Sequence, residues 1–80
     1  MDYSNKGILI MLQDLQRTVF GKVSMFVDII ILDDSTMVAC CVFDKDGEPH
    51  TSNFYAYESD DKHMKEYLKV LKLVNENATA

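Results

Sequence analysis

Eighty residues, 48% of them hydrophobic and 26% charged, with three glycines and one proline, describe one ordered domain and exclude a disordered or low-complexity chain. A chain this short buries only about 60–65% of the surface its unfolded form exposes, so it has little core to spare. The formal net charge of −5 opposes a polyanionic ligand at long range.

In chain order, Ile8, Met11, Leu12, Leu15 and Val19 recur at helical spacing, with Gln13, Asp14, Gln16 and Arg17 opposite and Ser4 or Asn5 as N-cap. A helix is expected over 5–18. Strands are expected over 22–32, 36–43 and 50–57, where β-branched and aromatic residues dominate and Asp33-Asp34-Ser35 and Asp44-Lys45-Asp46-Gly47 supply the turns. Ser59, Asp60 and Asp61 cap a second helix over 60–75, whose apolar positions are Met64, Tyr67, Leu68, Leu71 and Val74. A flexible tail, 76–80, follows. The fold class is therefore α+β in α-β-β-β-α order, a single domain with a three-stranded antiparallel sheet and both helices packed on one face.

The turn chemistry sorts the strand residues onto two faces. If Asp44-Lys45-Asp46-Gly47 is a type I turn with Gly47 left-handed, Asp44 faces Glu48, and Val38, Cys40 and Val42 share a face with Phe54 and Ala56. A first hairpin with its tip at Asp34-Ser35 adds Val23, Met25, Val27, Ile29 and Ile31 to that face. This is the expected core.

The opposite face carries Ser24, Phe26, Asp28, Ile30, Leu32, Met37, Ala39, Cys41, Phe43, Thr51, Asn53, Tyr55 and Tyr57, and its two Phe, two Tyr, Met, Ile and Leu amount to more apolar surface than a monomer ordinarily leaves in water. Covering it is the simplest function available to the chain. Phe26, Ile30, Met37, Phe43, Tyr55 and Tyr57 are the expected protein interface, and a two-fold homodimer is the expected partner arrangement, because one patch then serves both subunits.

Charge offers a second reading. Between Val23 and Asp61 nine acids oppose the single base Lys45, and Asp33, Asp34, Asp44, Asp46 and Glu48 cluster at the turns. They suggest an acidic nucleic-acid mimic that inhibits a nucleic-acid-binding protein, of the kind encoded by phages or mobile elements. The second helix instead carries a stripe of Lys62, Lys65, Lys69 and Lys72, interrupted by Glu66. In element order, and in its Gly47-Glu48-Pro49-His50 segment, the chain resembles the double-stranded-RNA-binding domain. However, the segment falls after the second strand where that family places it after the first, and an acid follows the glycine. With the negative field, this argues against nucleic-acid binding.

The remaining chemistry is unpromising. Asp44-Lys45-Asp46-Gly47 resembles a fragment of a calcium loop, but Val42, Pro49 and Asn53 occupy its first, eighth and twelfth positions. His50 and His63 have no ligand partner at zinc spacing, and Cys40 with His50 lacks a charge to activate the thiol. No catalytic residue, metal, cofactor or small-molecule substrate is expected, and the chain reads as a non-enzymatic accessory or regulatory module. Adjacent Cys40 and Cys41 are poorly placed for a disulfide, and the run Gly7 to Leu12 is too short for a signal core or a membrane span, so a cytoplasmic setting is expected.

Overall fold

Ser4 starts the first helix: its hydroxyl accepts the Gly7 N–H at 3.2 Å, satisfying one of the N–H groups that a helix start leaves unpaired. In the computed structural model, which describes residues 1–78, this helix is α1 (Asn5–Thr18), followed by β1 (Met25–Ile31), β2 (Thr36–Phe43), β3 (Pro49–Tyr55) and α2 (Asp60–Ala78). The order is α-β-β-β-α, and the sheet is antiparallel in the order β1-β2-β3. Among the described residues no helix is long and apolar enough to cross a membrane.

The second hairpin has the anticipated register. Asp44 N–H donates to the Glu48 carbonyl at 3.0 Å, Gly47 sits at φ +80°, and Val38 pairs with Phe54. The first hairpin turns one residue earlier than expected. Leu32 N–H donates to the Ser35 carbonyl, so Asp33-Asp34 is the tip, and Ile29 pairs with Val38. That shifts the pairing by two residues and leaves every side chain on its expected face.

One buried cluster joins Ile8, Leu12 and Val19 of the first helix and its cap, Met25, Val38, Cys40, Val42 and Phe54 of the sheet, and Tyr67, Val70 and Val74 of α2. Both helices therefore pack on the same face. Phe54, Ile8 and Leu12 are fully buried, each contributing about 1.5–3 kcal/mol. The Asn5 amide donates to the Phe54 carbonyl at 2.6 Å while its oxygen accepts the Thr36 hydroxyl at 3.1 Å; eleven residues on, Gln16 donates to the Met25 carbonyl at 2.7 Å. These contacts set α1 diagonally, from the end of β3 to the start of β1.

Three expectations are corrected. Ile29 and Ile31, assigned to the core by parity, are 52% and 82% exposed, because diagonal α1 crosses only the start of β1 and leaves its second half uncovered. Ala56 is likewise exposed, because β3 ends at Tyr55 and Ala56 lies in a turn. The buried stripe of α2 is His63, Tyr67, Val70 and Val74; Leu68 is half exposed and Met64 and Leu71 only partly buried.

Helix α2 also continues past residue 75. Asn77 accepts the Lys45 N–H at 3.0 Å and donates to the Leu73 carbonyl at 2.8 Å, fastening the helix end to the β2–β3 turn. Nineteen residues of helix span about 28 Å, close to the length of β2, so α2 runs the length of the sheet. Of the tail expected over 76–80, residues 76–78 are helical and the remaining two lie outside the described residues.

Candidate functional site

The helices leave one face of the sheet uncovered, and its side chains follow from the register. Phe26 is 60% exposed, Ile30 40%, Leu32 37% and Tyr57, just past the end of β3, 75%. Phe43 and Tyr55 are half-buried. Two aromatic pairs organise them: Phe26 meets Phe43 edge-on with centroids 5.9 Å apart, and Tyr55 and Tyr57 lie at 5.2 Å. Such pairs hold rings rigid and add about 0.5–1.5 kcal/mol beyond their burial.

Met37 departs from the expected interface. It lies on this face but is only 9% exposed, because Ile30 and Tyr55 flank it as register partners from the neighbouring strands. It forms the floor of the patch. Five of the six expected interface residues thus lie on this uncovered face in two apolar groups, Phe26 with Phe43 and Ile30 with Tyr55 and Tyr57, separated by the row of Asp28, Ala39 and Asn53. Phe26 and Phe43 also border a shallow cleft of about 540 Å³, together with Lys22, Asp44 and Asn77.

The two outer strands differ at their open edges. Since the Asp44–Glu48 and Thr36–Ala56 hydrogen bonds join β2 to β3, alternation turns the backbone groups of Pro49, Thr51, Asn53 and Tyr55 outward. Pro49 has no N–H to offer. The Tyr55 N–H donates to the Glu58 carboxylate at 3.1 Å, and the Tyr55 carbonyl lies 2.7 Å from His63 Nε2. Both ends of the β3 edge are closed.

On β1 the Leu32–Ser35 and Ser24–Phe43 bonds turn Met25, Val27, Ile29 and Ile31 outward. Only the Met25 carbonyl is capped, by Gln16. Among the described residues, the outward N–H and C=O groups of Val27, Ile29 and Ile31 have no partner. This edge was missed in the sequence reading, although Ile29-Ile30-Ile31-Leu32 carries a signal: four successive large aliphatics cannot all face one side of a strand.

The five acids of the mimic reading are not brought together. Asp33 and Asp34 form the tip of the first hairpin, whereas Asp44, Asp46 and Glu48 lie in the second turn, at the opposite end of β2 and about 25 Å away. Asp44 is also engaged by the turn itself. Its Oδ1 accepts the Asp46 and Glu48 N–H groups at 2.9 and 3.0 Å, and its Oδ2 lies 2.9 Å from His50 Nε2. The His50 contact first, then these backbone donors, hold its carboxyl below the usual carboxylate range.

The basic stripe of α2 is largely neutralised. Lys62 pairs with Glu58, Lys65 with Asp61 at 3.2 Å and Lys69 with Glu66 at 4.0 Å. Glu66 also accepts the Ser52 hydroxyl at 2.8 Å. The cysteines are free, and burial, with a smaller contribution from neighbouring Cys41, pushes the Cys40 thiol up to about 12. That sulfur is a poor nucleophile at neutral pH.

No protein family, curated protein or solved structure matches this chain.

Proposed function

We propose that this chain is a small non-enzymatic protein-interaction module, accessory or regulatory in role, that self-associates through the uncovered face of its sheet. The exposure of Phe26, Ile30, Leu32 and Tyr57 on the face opposite both helices carries this reading. Covering that surface stabilises an assembly by about 25 cal/mol per Å² before association costs are subtracted. A second copy is the occupant, because a two-fold axis lets the same aromatic pairs serve as anchors on both sides.

The test is the solution mass across a dilution series, by light scattering after size exclusion, for the native chain and for Tyr57→Glu. The native chain is expected above its monomer mass of 9.2 kDa and the variant to fall toward it. A native chain that stays monomeric at every concentration removes the reading. Carboxylate mimicry is the weaker alternative, since its acids split between two ends of the sheet and Asp44 is occupied by its own turn.

A further inference from the structure

We infer that the open edge of β1 pairs antiparallel with β1 of a second copy, joining two sheets into one of six strands. This deepens the self-association proposed above by assigning it a second, separate contact. The two edges of the sheet differ. Natural sheets protect their edges with proline, charge or covering elements. Here β3 is closed at both ends by Pro49, Glu58 and His63, which leaves only the polar pair Thr51 and Asn53 between them, whereas β1 presents the unpartnered groups of Val27, Ile29 and Ile31 in a row.

The side chains around that edge are apolar on both faces. Ile29 and Ile31 are exposed on the helix side, Phe26, Ile30 and Leu32 on the other, and Phe20, 87% exposed, lies in the loop that leads into β1. Phe20, Ile29 and Ile31, which the face contact does not use, expose on the order of 400 Å², and the shared rim of Phe26, Ile30 and Leu32 brings the total to roughly 700 Å², against about 800 Å² per partner in a standard stable interface. The uncovered face alone offers on the order of 400 Å² from its exposed side chains. Strand addition recruits both sides of β1 at once.

Charge selects the direction and the register. The chain entering β1 carries Lys22 and no acid between Thr18 and Phe26, whereas the chain leaving it carries Asp33 and Asp34. Antiparallel pairing sets each acidic tip beside the other copy's Lys22; parallel pairing would set acid beside acid. An axis at Asp28 would place two carboxylates directly opposite, which is unfavourable. An axis at Ile29 avoids this. It pairs Ile29 with its counterpart and Val27 with the second copy's Ile31, both through outward-facing backbone groups.

Ile29→Pro is the decisive variant, because it removes one outward N–H that has no partner among the described residues, and edge strands accept proline at such positions. Ile31→Lys, at an 82% exposed side chain, is the second variant should the proline impair folding. The full chain is examined by light scattering, with circular dichroism to confirm the fold and amide exchange at low and high protein concentration. The expected result is a halved mass for either edge variant, and amides of Val27, Ile29 and Ile31 that gain protection with concentration only in the native chain.

Edge variants that keep the native mass overturn the edge contact. If Tyr57→Glu then halves the mass, the face contact stands without it. Loss of association in the edge variants with Tyr57→Glu unaffected supports the edge and removes the face. A native chain monomeric at every concentration overturns both.

Discussion

His63 Nε2 lies 2.7 Å from the Tyr55 carbonyl oxygen, and the ring's other nitrogen lies 2.8 Å from the Tyr3 carbonyl. The imidazole is 2% exposed and packs edge-on against Phe54, so a buried polar ring ties the N-terminal segment to the end of β3 from the first turns of α2. His63→Leu keeps the volume but removes the ring N–H that one of these carbonyls accepts, since a neutral imidazole has a single N–H to donate. An unsatisfied buried acceptor costs about 1–3 kcal/mol, so the variant should lose about 1–3 kcal/mol by urea denaturation. A loss well under 1 kcal/mol would show that water replaces the ring.

Acid should loosen two surface contacts before it unfolds the core. The carboxyl of Asp44 is lowered by its contact with His50 and by backbone donors, and that of Glu58 by the Lys62 ammonium first and the Tyr55 N–H after it. A carboxyl lowered in the folded state stabilises the fold above its unfolded value, and that contribution disappears as pH falls through the lower folded value. The window therefore opens near the ordinary carboxylate values, 3.8 and 4.5, and extends below them. The amide proton shifts of Asp46, Glu48 and Tyr55 should titrate there by NMR. Asp44→Asn should abolish the titration at the first two and leave that at Tyr55; retention at Asp46 would assign the shift to another group.

Gly7 is fixed by a close approach. A Cβ at this position would collide with the backbone carbonyl and side chain of Asp2, which folds back over the helix start and accepts the Ser4 N–H at 2.9 Å. Alanine normally gains about 1 kcal/mol over glycine inside a helix. Here the displaced segment carries Tyr3, whose carbonyl faces His63 and whose ring packs 6.4 Å from that of Tyr67. Overpacking of this kind costs about 1–3 kcal/mol, so Gly7→Ala should destabilise by about 1 kcal/mol net in thermal or urea unfolding. A stabilised variant would mean that the N-terminal segment contributes nothing.

The element order and the faces of the sheet were legible because turn chemistry and period-two alternation are local. Asp44 to Gly47 fixed one hairpin register, and a two-residue error at Asp34-Ser35 did not change any strand's face. What alternation cannot reveal is how far a helix reaches across a sheet. Ile29 and Ile31 have the parity of core residues and lie in water because α1 is anchored by Asn5 at β3 and by Gln16 at Met25. His63 was passed over for a related reason. It stands four, seven and eleven residues before Tyr67, Val70 and Val74, on the buried stripe, but a polar residue on a stripe becomes interpretable only once its acceptors are known.

The cysteines provide a reporter of the uncovered face. Cys40 is 1% exposed with its thiol raised to about 12, whereas Cys41 points to the opposite side and is partly exposed. At neutral pH a thiol reagent should label Cys41 first, with Cys40 following only as the protein opens. If copies associate face to face, labelling of Cys41 should slow as protein concentration rises, and Tyr57→Glu should remove the concentration dependence. A Cys41 rate independent of concentration, in a sample shown to be oligomeric, would place the contact elsewhere.

Asp28 is the one charge within β1, and it limits how tightly two edges can join. With the axis at Ile29, Asp28 stands opposite the second copy's Ile30, and the two Asp28 carboxylates become diagonal neighbours about 7–8 Å apart on the same face. Their repulsion adds to that of two chains each of net charge −5. Asp28→Asn retains the shape and removes the charge. Cross-strand charge pairs are worth about 0.2–1 kcal/mol, so the variant should tighten association by roughly 1.4- to fivefold in sedimentation equilibrium. Added salt should strengthen the native assembly by screening the same repulsion, and should act less on the variant. An unchanged affinity in Asp28→Asn would place the axis away from the middle of β1, and a weakened one would mean that the carboxylate accepts a hydrogen bond across the interface.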